Sequence, residues 1–350
     1  MPDSLSERLT GTRIPRGRSA AMDCLILQYR RVALLSHDPL RLAVQPCHFE
    51  EQMEYLATSF YVISMKDLQQ HLETATPFPD NTVAVTFDGG YSDVLYVAKE
   101  VLERFEIPAT VFVPSAHLME RTPFWWDVLE DVLIAGDCQR RLVLELGDEP
   151  LRWPLTTRHD RFRAFEDLYA LLSETPPCRQ REIIAEITRS LDASAKERDN
   201  HATLSIQELK KLEEGGLITI GGHSHNCTKL SSLCESEQMR EIGRNKQILE
   251  EILGHRIEYF AYPFGDLNSY TTTTARLLND LGFTLSCRVL SETVCATGAT
   301  GRYELPRVTI RDWNPFTFYR CLTTFLGRPR SPAEREPARR DHYGDQNPCR

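Results

Sequence analysis

The chain has 350 residues, of which 41% are apolar and 26% charged, an ordinary balance for a globular protein that excludes wholesale disorder. Its net charge of −9, from 41 basic and 50 acidic side chains, speaks against a nucleic-acid partner. Ten cysteines are too few for a disulfide scaffold, and the length suits either two domains or one α/β barrel with additions.

The charge is uneven. Residues 1–21 carry four Arg against two acids, and residues 326–350 carry six Arg against four. Each end is therefore +2 and the body between them −13. Residues 1–22 read as a flexible basic arm with no secretory signal, because no apolar stretch and cleavage site follow the basic residues. No apolar run reaches ~18 residues, so no membrane span is expected. With no CxxC pair and no export signal, the sequence predicts a cytoplasmic protein with reduced thiols, most of them buried as small hydrophobes.

In chain order, 24–29 reads as a first strand, and 48–56 and 65–72 have helical spacing. A short apolar strand at 83–87 precedes Gly89-Gly90. A helical stretch at 92–105 and a strand at 109–113 follow. Strand, helix, strand at this spacing is a βαβ unit and implies a parallel sheet. From about 124 to 202 the pattern becomes mostly helical, with a strand signal only at 142–146, and reads as an insertion. The alternation then resumes: helix 205–214, strand 217–220, helix 236–253, strand 257–262, helix 271–281 and strand 284–288. Residues 326–350, with four Pro and six Arg, read as a disordered tail.

Three chemically suggestive segments sit just after predicted strands, where parallel α/β folds gather their active-site residues. In Thr86-Phe87-Asp88-Gly89-Gly90-Tyr91, an aspartate precedes two glycines that permit a tight turn. It either projects into a pocket or only fixes the turn, with Ser92 or Asp93 capping the next helix. In Gly222-His223-Ser224-His225-Asn226-Cys227, two imidazoles and a thiol fall within five residues. His and Cys are zinc ligands. His223 and His225 share a face if the segment is extended, and His223 and Cys227 share one if it is helical. Asp93 is a further candidate ligand. Cys227 as a nucleophile, or a polar loop without metal, are the other readings. In Tyr262-Pro263-Phe264-Gly265, an aromatic turn either offers a backbone N–H to an oxyanion or simply ends a core strand.

Taken in order, the three segments resemble the motifs of the polysaccharide deacetylase family, the NodB-homology or carbohydrate esterase family four group. The similarity extends to Tyr29-Arg30-Arg31-Val32, to residues 48–56, to Phe124-Trp125-Trp126-Asp127 and to Leu305-Pro306-Arg307-Val308. It covers about residues 23–325. The resemblance implies a distorted (β/α) barrel of about seven strands, with the helical insertion at about 124–202. It implies metal-dependent removal of an acyl group, usually acetyl, from an amino sugar or a related small acylated substrate. Carried over by position, Asp88 is the general base, and Tyr262, Pro263 and Phe264 form the oxyanion wall. His223 and Cys227, with His225, hold a divalent metal, zinc by preference. Tyr91, Trp126 and Arg307 line the substrate pocket.

The departures are specific. Gly89 stands where the family has a second, metal-binding aspartate. Cys227 stands where it has a second histidine, and Arg30 replaces the histidine of its opening motif. The family's late histidine, its general acid, has no match near Leu305. Two functions follow: a hydrolase of carbon–nitrogen bonds other than peptide bonds, or a degenerate carbohydrate-binding barrel that has lost its metal. Different chemistry in the same pocket is a third.

Overall fold

A computed structural model describes residues 23–136, 141–146, 149–192, 201–297 and 301–326. The arm expected at 1–22 and the tail from 327 onward lie outside the described residues. Leu326, placed with that tail in the sequence reading, instead ends a helix, Pro315–Leu326.

Seven parallel strands close into a barrel: Asp23–Tyr29, Thr82–Asp88, Ala109–Val113, Ile218–Gly222, Tyr259–Ala261, Leu285–Val289 and Leu305–Thr309. Each pairs with the next in chain order, and the seventh returns to the first with Ile26 opposite Arg307. This is the (β/α) barrel the sequence predicts. Short strands extend two edges: Tyr61–Ile63 runs parallel to the second barrel strand, and Val294–Cys295 antiparallel to the first.

The strands are buried on both faces, which is why they read as nearly continuous apolar runs. Alternation sorts their side chains. Leu25, Leu27, Tyr29, Val83, Val85, Phe87, Val111 and Val113 belong to the cluster shared with the surrounding helices. Cys24, Ile26, Ala84, Phe112, Ala261, Cys287 and Leu305 belong to a second, interior cluster. Burying each large apolar side chain contributes about 1.5–3 kcal/mol. The interior is tight: a Cβ at Gly221 would lie 2.5 Å from the Phe112 ring, so only glycine fits there.

Capping boxes set several helix starts. Ser64 pairs with Asp67 before Met65–Thr74, and Ser205 with Glu208 before Ile206–Glu213. The segment read as an insertion contains Trp125–Glu130, Arg158–Ser173 and Pro177–Ser190. It also contains an antiparallel hairpin, Arg141–Leu144 with Leu151–Pro154. The second hairpin strand is mostly exposed and so leaves no apolar signal. A third apolar cluster joins these elements to the barrel mouth, including Phe124, Trp125, Trp126, Leu142, Phe165, Tyr91 and Cys227.

The thiols depart from expectation. Cys24, Cys227 and Cys287 are buried, but Cys47, Cys178 and Cys234 are exposed, and all the described cysteines are free. Cys47 and Cys178 sit in the first turns of amphipathic helices, on faces turned from the core. Among the described residues no helix is long and apolar enough to cross a membrane.

Candidate active site

The carboxyl ends of the barrel strands converge on Asp88. In the first strand Ile26 faces the interior, so Gln28, two residues on, does too. Arg307 is inward in the seventh strand by the same parity, level with Ile26. Arg307 Nη1 donates to Asp88 Oδ1 at 2.7 Å and Nη2 to Oδ2 at 2.8 Å. Gln28 Nε2 donates to Oδ2 at 2.5 Å, while its Oε1 accepts from Thr309. Burial works against the Asp88 carboxylate, but the Arg307 guanidinium, with smaller contributions from His223 and Arg30, outweighs it, and the carboxyl sits at about 2. Asp88 is thus ionised, rigidly held and weakly basic. Arg307, expected in a substrate pocket, is wholly buried and holds Asp88 instead. It does so because its strand places it inside the barrel.

His223 follows the fourth strand and is also wholly buried. Its backbone N–H donates to Asn245 Oδ1 at 3.0 Å. Its Nδ1 lies 2.8 Å from the Ala261 carbonyl oxygen and must donate to it. Nε2 therefore carries a lone pair, and this buried atom has no partner. Burial pushes the imidazole down to about 4, so the ring is neutral.

The following loop is strained. Ser224 (φ 57°) and Cys227 (φ 52°) are both left-handed, as is Phe264 (φ 64°) in the third motif. Each such residue costs of order 1 kcal/mol or more, and such strain clusters at functional sites. Cys227 packs in the aromatic cluster at the mouth, and burial pushes its thiol up to about 12.

His225 does not join His223. Its Nδ1 is 2.8 Å from Ser115 Oγ, and its ring lines a separate cavity. Left-handed Ser224, between them, breaks the extended alternation that would have aligned the two imidazoles. Asp93, the other candidate ligand, is tied to Arg31 Nε at 2.9 Å and to the Val32 N–H.

In the third motif the Tyr262 N–H is committed to the Cys287 carbonyl. Its hydroxyl donates to the Tyr303 carbonyl and its ring stacks on Tyr270 at 4.0 Å, outside the barrel. Pro263 has no N–H. Only the Phe264 N–H is left as an oxyanion donor, held by the left-handed turn into Gly265.

Tyr91 and Trp126, expected to line a pocket, are packed into the covering layer. Phe124 and Trp126 stack at 4.6 Å, Trp126 Nε1 donates to the Tyr91 hydroxyl, and that hydroxyl donates to Asp127. Arg31 lies 4.1 Å over the Tyr91 ring. Around them is a charge network of buried Arg31, Asp127, Glu130 and His201 with the part-buried Asp93. Burial raises Asp127 to about 6 and Glu130 to about 8. Gln28 and His201 were not singled out in the sequence, and Asp127 was named only within the segment Phe124-Trp125-Trp126-Asp127, with no role. A polar residue inside an apolar strand was the available signal for Gln28; His201 offered none.

The resemblance implies a divalent metal, and the residues present do not fit one. His223 is oriented as a ligand, with its second nitrogen tied to a carbonyl. Gly89 supplies no donor. At φ 109° its backbone is one that side chains rarely adopt, and a Cβ would sit 3.3 Å from the Tyr91 ring. Cys227 is held as the neutral thiol and Asp88 is occupied by Arg307. Among the described residues no group of three His, Cys, Asp or Glu side chains can hold a metal ion, whereas a catalytic zinc site has three protein ligands.

A family model described as polysaccharide deacetylase matches residues 179–286, which include the second and third motifs but not Asp88. Three solved structures share the fold. The deacetylase PplD of Streptococcus pyogenes, in complex with acetate, has a TM-score of 0.57 at 18% identity, covering 86% of this chain and 99% of that one. IcaB from Ammonifex degensii gives 0.54 at 18%, covering 87% and 97%. The BpsB deacetylase domain of Bordetella bronchiseptica gives 0.51 at 14%, covering 85% and 98%. At these identities the likeness is one of fold. No curated protein matches the chain in sequence.

Proposed function

We propose that this chain, which resembles the polysaccharide deacetylases in fold and over residues 179–286, is a carbohydrate-binding barrel without metal-dependent acyl hydrolysis. One observation carries the reading: among the described residues His223 is an oriented ligand with no second and third donor beside it to complete a metal site. The family supplies the ligand class. The rim supports it with Leu34 and Leu267, both largely exposed after barrel strands, and with the half-buried Phe264 and Arg30. Apolar side chains of this kind suit the flat faces of sugar rings, and a guanidinium suits their hydroxyl or carboxylate groups.

The test compares metal-stripped protein with protein supplied with zinc, cobalt or manganese. No acetate release from N-acetylated oligosaccharides is expected with any of them, and saccharide binding should survive a chelator. Metal-dependent acetate release that disappears in Asp88→Asn would overturn the proposal.

The unpartnered Nε2 of His223 favours a second reading, a weak His223–Cys227 metal site in a working hydrolase. It requires cobalt to bind with a thiolate absorption band that is lost in Cys227→Ser.

A further inference from the structure

The cavity lined by His225 lies apart from Asp88 and is built from three elements. Arg181 comes from the helix Pro177–Ser190, Arg240 and Arg244 from the helix Glu235–Leu253, and Glu120 from the end of the helix Ser115–Glu120. The loop residues His225 and Asn226 and the side chain of Glu241 complete a space of about 280 Å³.

Three guanidinium groups converge here in a protein of net charge −9. None of the three makes a hydrogen bond or ion pair among the described residues, whereas nearby Arg179 pairs with Glu182 at 2.7 Å. Arg240 and Arg244 are four apart on one helix face, a like-charge spacing that is unfavourable in the absence of a bound anion. Glu241 keeps its charge but gives the arginines no acceptor, because both its oxygens accept from Asn226, one from the side-chain amide and one from the backbone N–H. With Glu120 and Glu241 counted, the lining keeps a net positive charge, and none of the three guanidinium groups has its donors met by a protein acceptor among the described residues. They match an oxyanion, to which several guanidinium forks can donate at once.

We propose that this cavity is a binding site for a phosphate group, either free or carried on a sugar. Three arginines from two helices offer more donors than a single carboxylate can accept. The bound anion would also link the helix Pro177–Ser190 to the barrel helix Glu235–Leu253. Glu120 is the one acid in the cavity without a partner, so it opposes the ligand.

Titration calorimetry with inorganic phosphate at low ionic strength tests this in the full chain. Saturable one-to-one binding is expected, weakened roughly tenfold by Arg181→Gln or Arg244→Gln and tightened severalfold by Glu120→Gln. Thermal unfolding of each variant checks that the fold is intact, and the opposite sign expected for Glu120→Gln cannot come from misfolding. Tighter binding of glucosamine 6-phosphate than of phosphate assigns a sugar-borne group, and equal affinity a free one; both sustain the proposal. No saturable binding, or affinities unchanged in all three variants, would overturn it.

Discussion

Replacing Arg307 by methionine isolates the interaction on which the barrel mouth is built. In the wild type Asp88 is wholly buried and accepts two bonds from Arg307 and one from Gln28. Its carboxyl falls from 3.8 to about 2 on folding, roughly two units, which at about 1.4 kcal/mol per unit amounts to some 2–3 kcal/mol of stability at neutral pH. Removing Arg307 loses that and leaves a buried charge with one neutral amide, Gln28, as its hydrogen-bond donor, so the expected loss at pH 7 is about 3–5 kcal/mol. Urea unfolding measures it. The pH dependence has a definite sign. In the wild type the folded value lies below the unfolded one, so the contribution is complete above pH ~4 and is lost as pH falls through about 2. In Arg307→Met burial is opposed only by the smaller pulls of His223 and Arg30, the carboxyl rises, and folding takes up a proton. The variant's deficit should therefore shrink as pH is lowered from 7 towards 4. Asp88→Asn combined with Arg307→Met should cost less than the two single changes added together. A loss under ~1 kcal/mol for Arg307→Met, or strict additivity of the pair, would refute the assignment.

Two further outcomes follow from burial. Glu130 is raised to about 8, above its unfolded value, so the folded protein holds a proton that the unfolded chain has released. Stability should fall as pH rises from about 5 to 8, and Glu130→Gln should raise the melting temperature at pH 8 but not at pH 5. Native-state alkylation followed by mass spectrometry should modify Cys47, Cys178 and Cys234 rapidly, and Cys24, Cys227 and Cys287 only after unfolding. Rapid labelling of Cys227 would contradict the covered, neutral thiol.

Much of the fold was legible because it is written locally. The apolar strand Thr82–Asp88 and the helix Glu235–Leu253, ended by left-handed Gly254, announce themselves through run length, period and cap. The short strand Tyr61–Ile63 was not legible. It has three residues, one of them exposed, and exists because an edge of the second barrel strand is open to it. The exposed hairpin strand Leu151–Pro154 and the helix Pro315–Leu326 likewise depend on their neighbours.

The site divides the same way. By itself, the sequence determined which donors are present: Asp88, His223 and Cys227, with Gly89 where a carboxylate was expected. Those are covalent facts. Only the tertiary structure decided what each group faces. It set Arg307 against Asp88 across 219 positions of chain, turned His225 into a separate arginine-lined cavity, and buried Cys227 under the aromatic layer. Such pairings depend on barrel closure and on left-handed turns at single residues. A one-residue change of parity in a strand reverses which way a side chain points, and no local pattern records it.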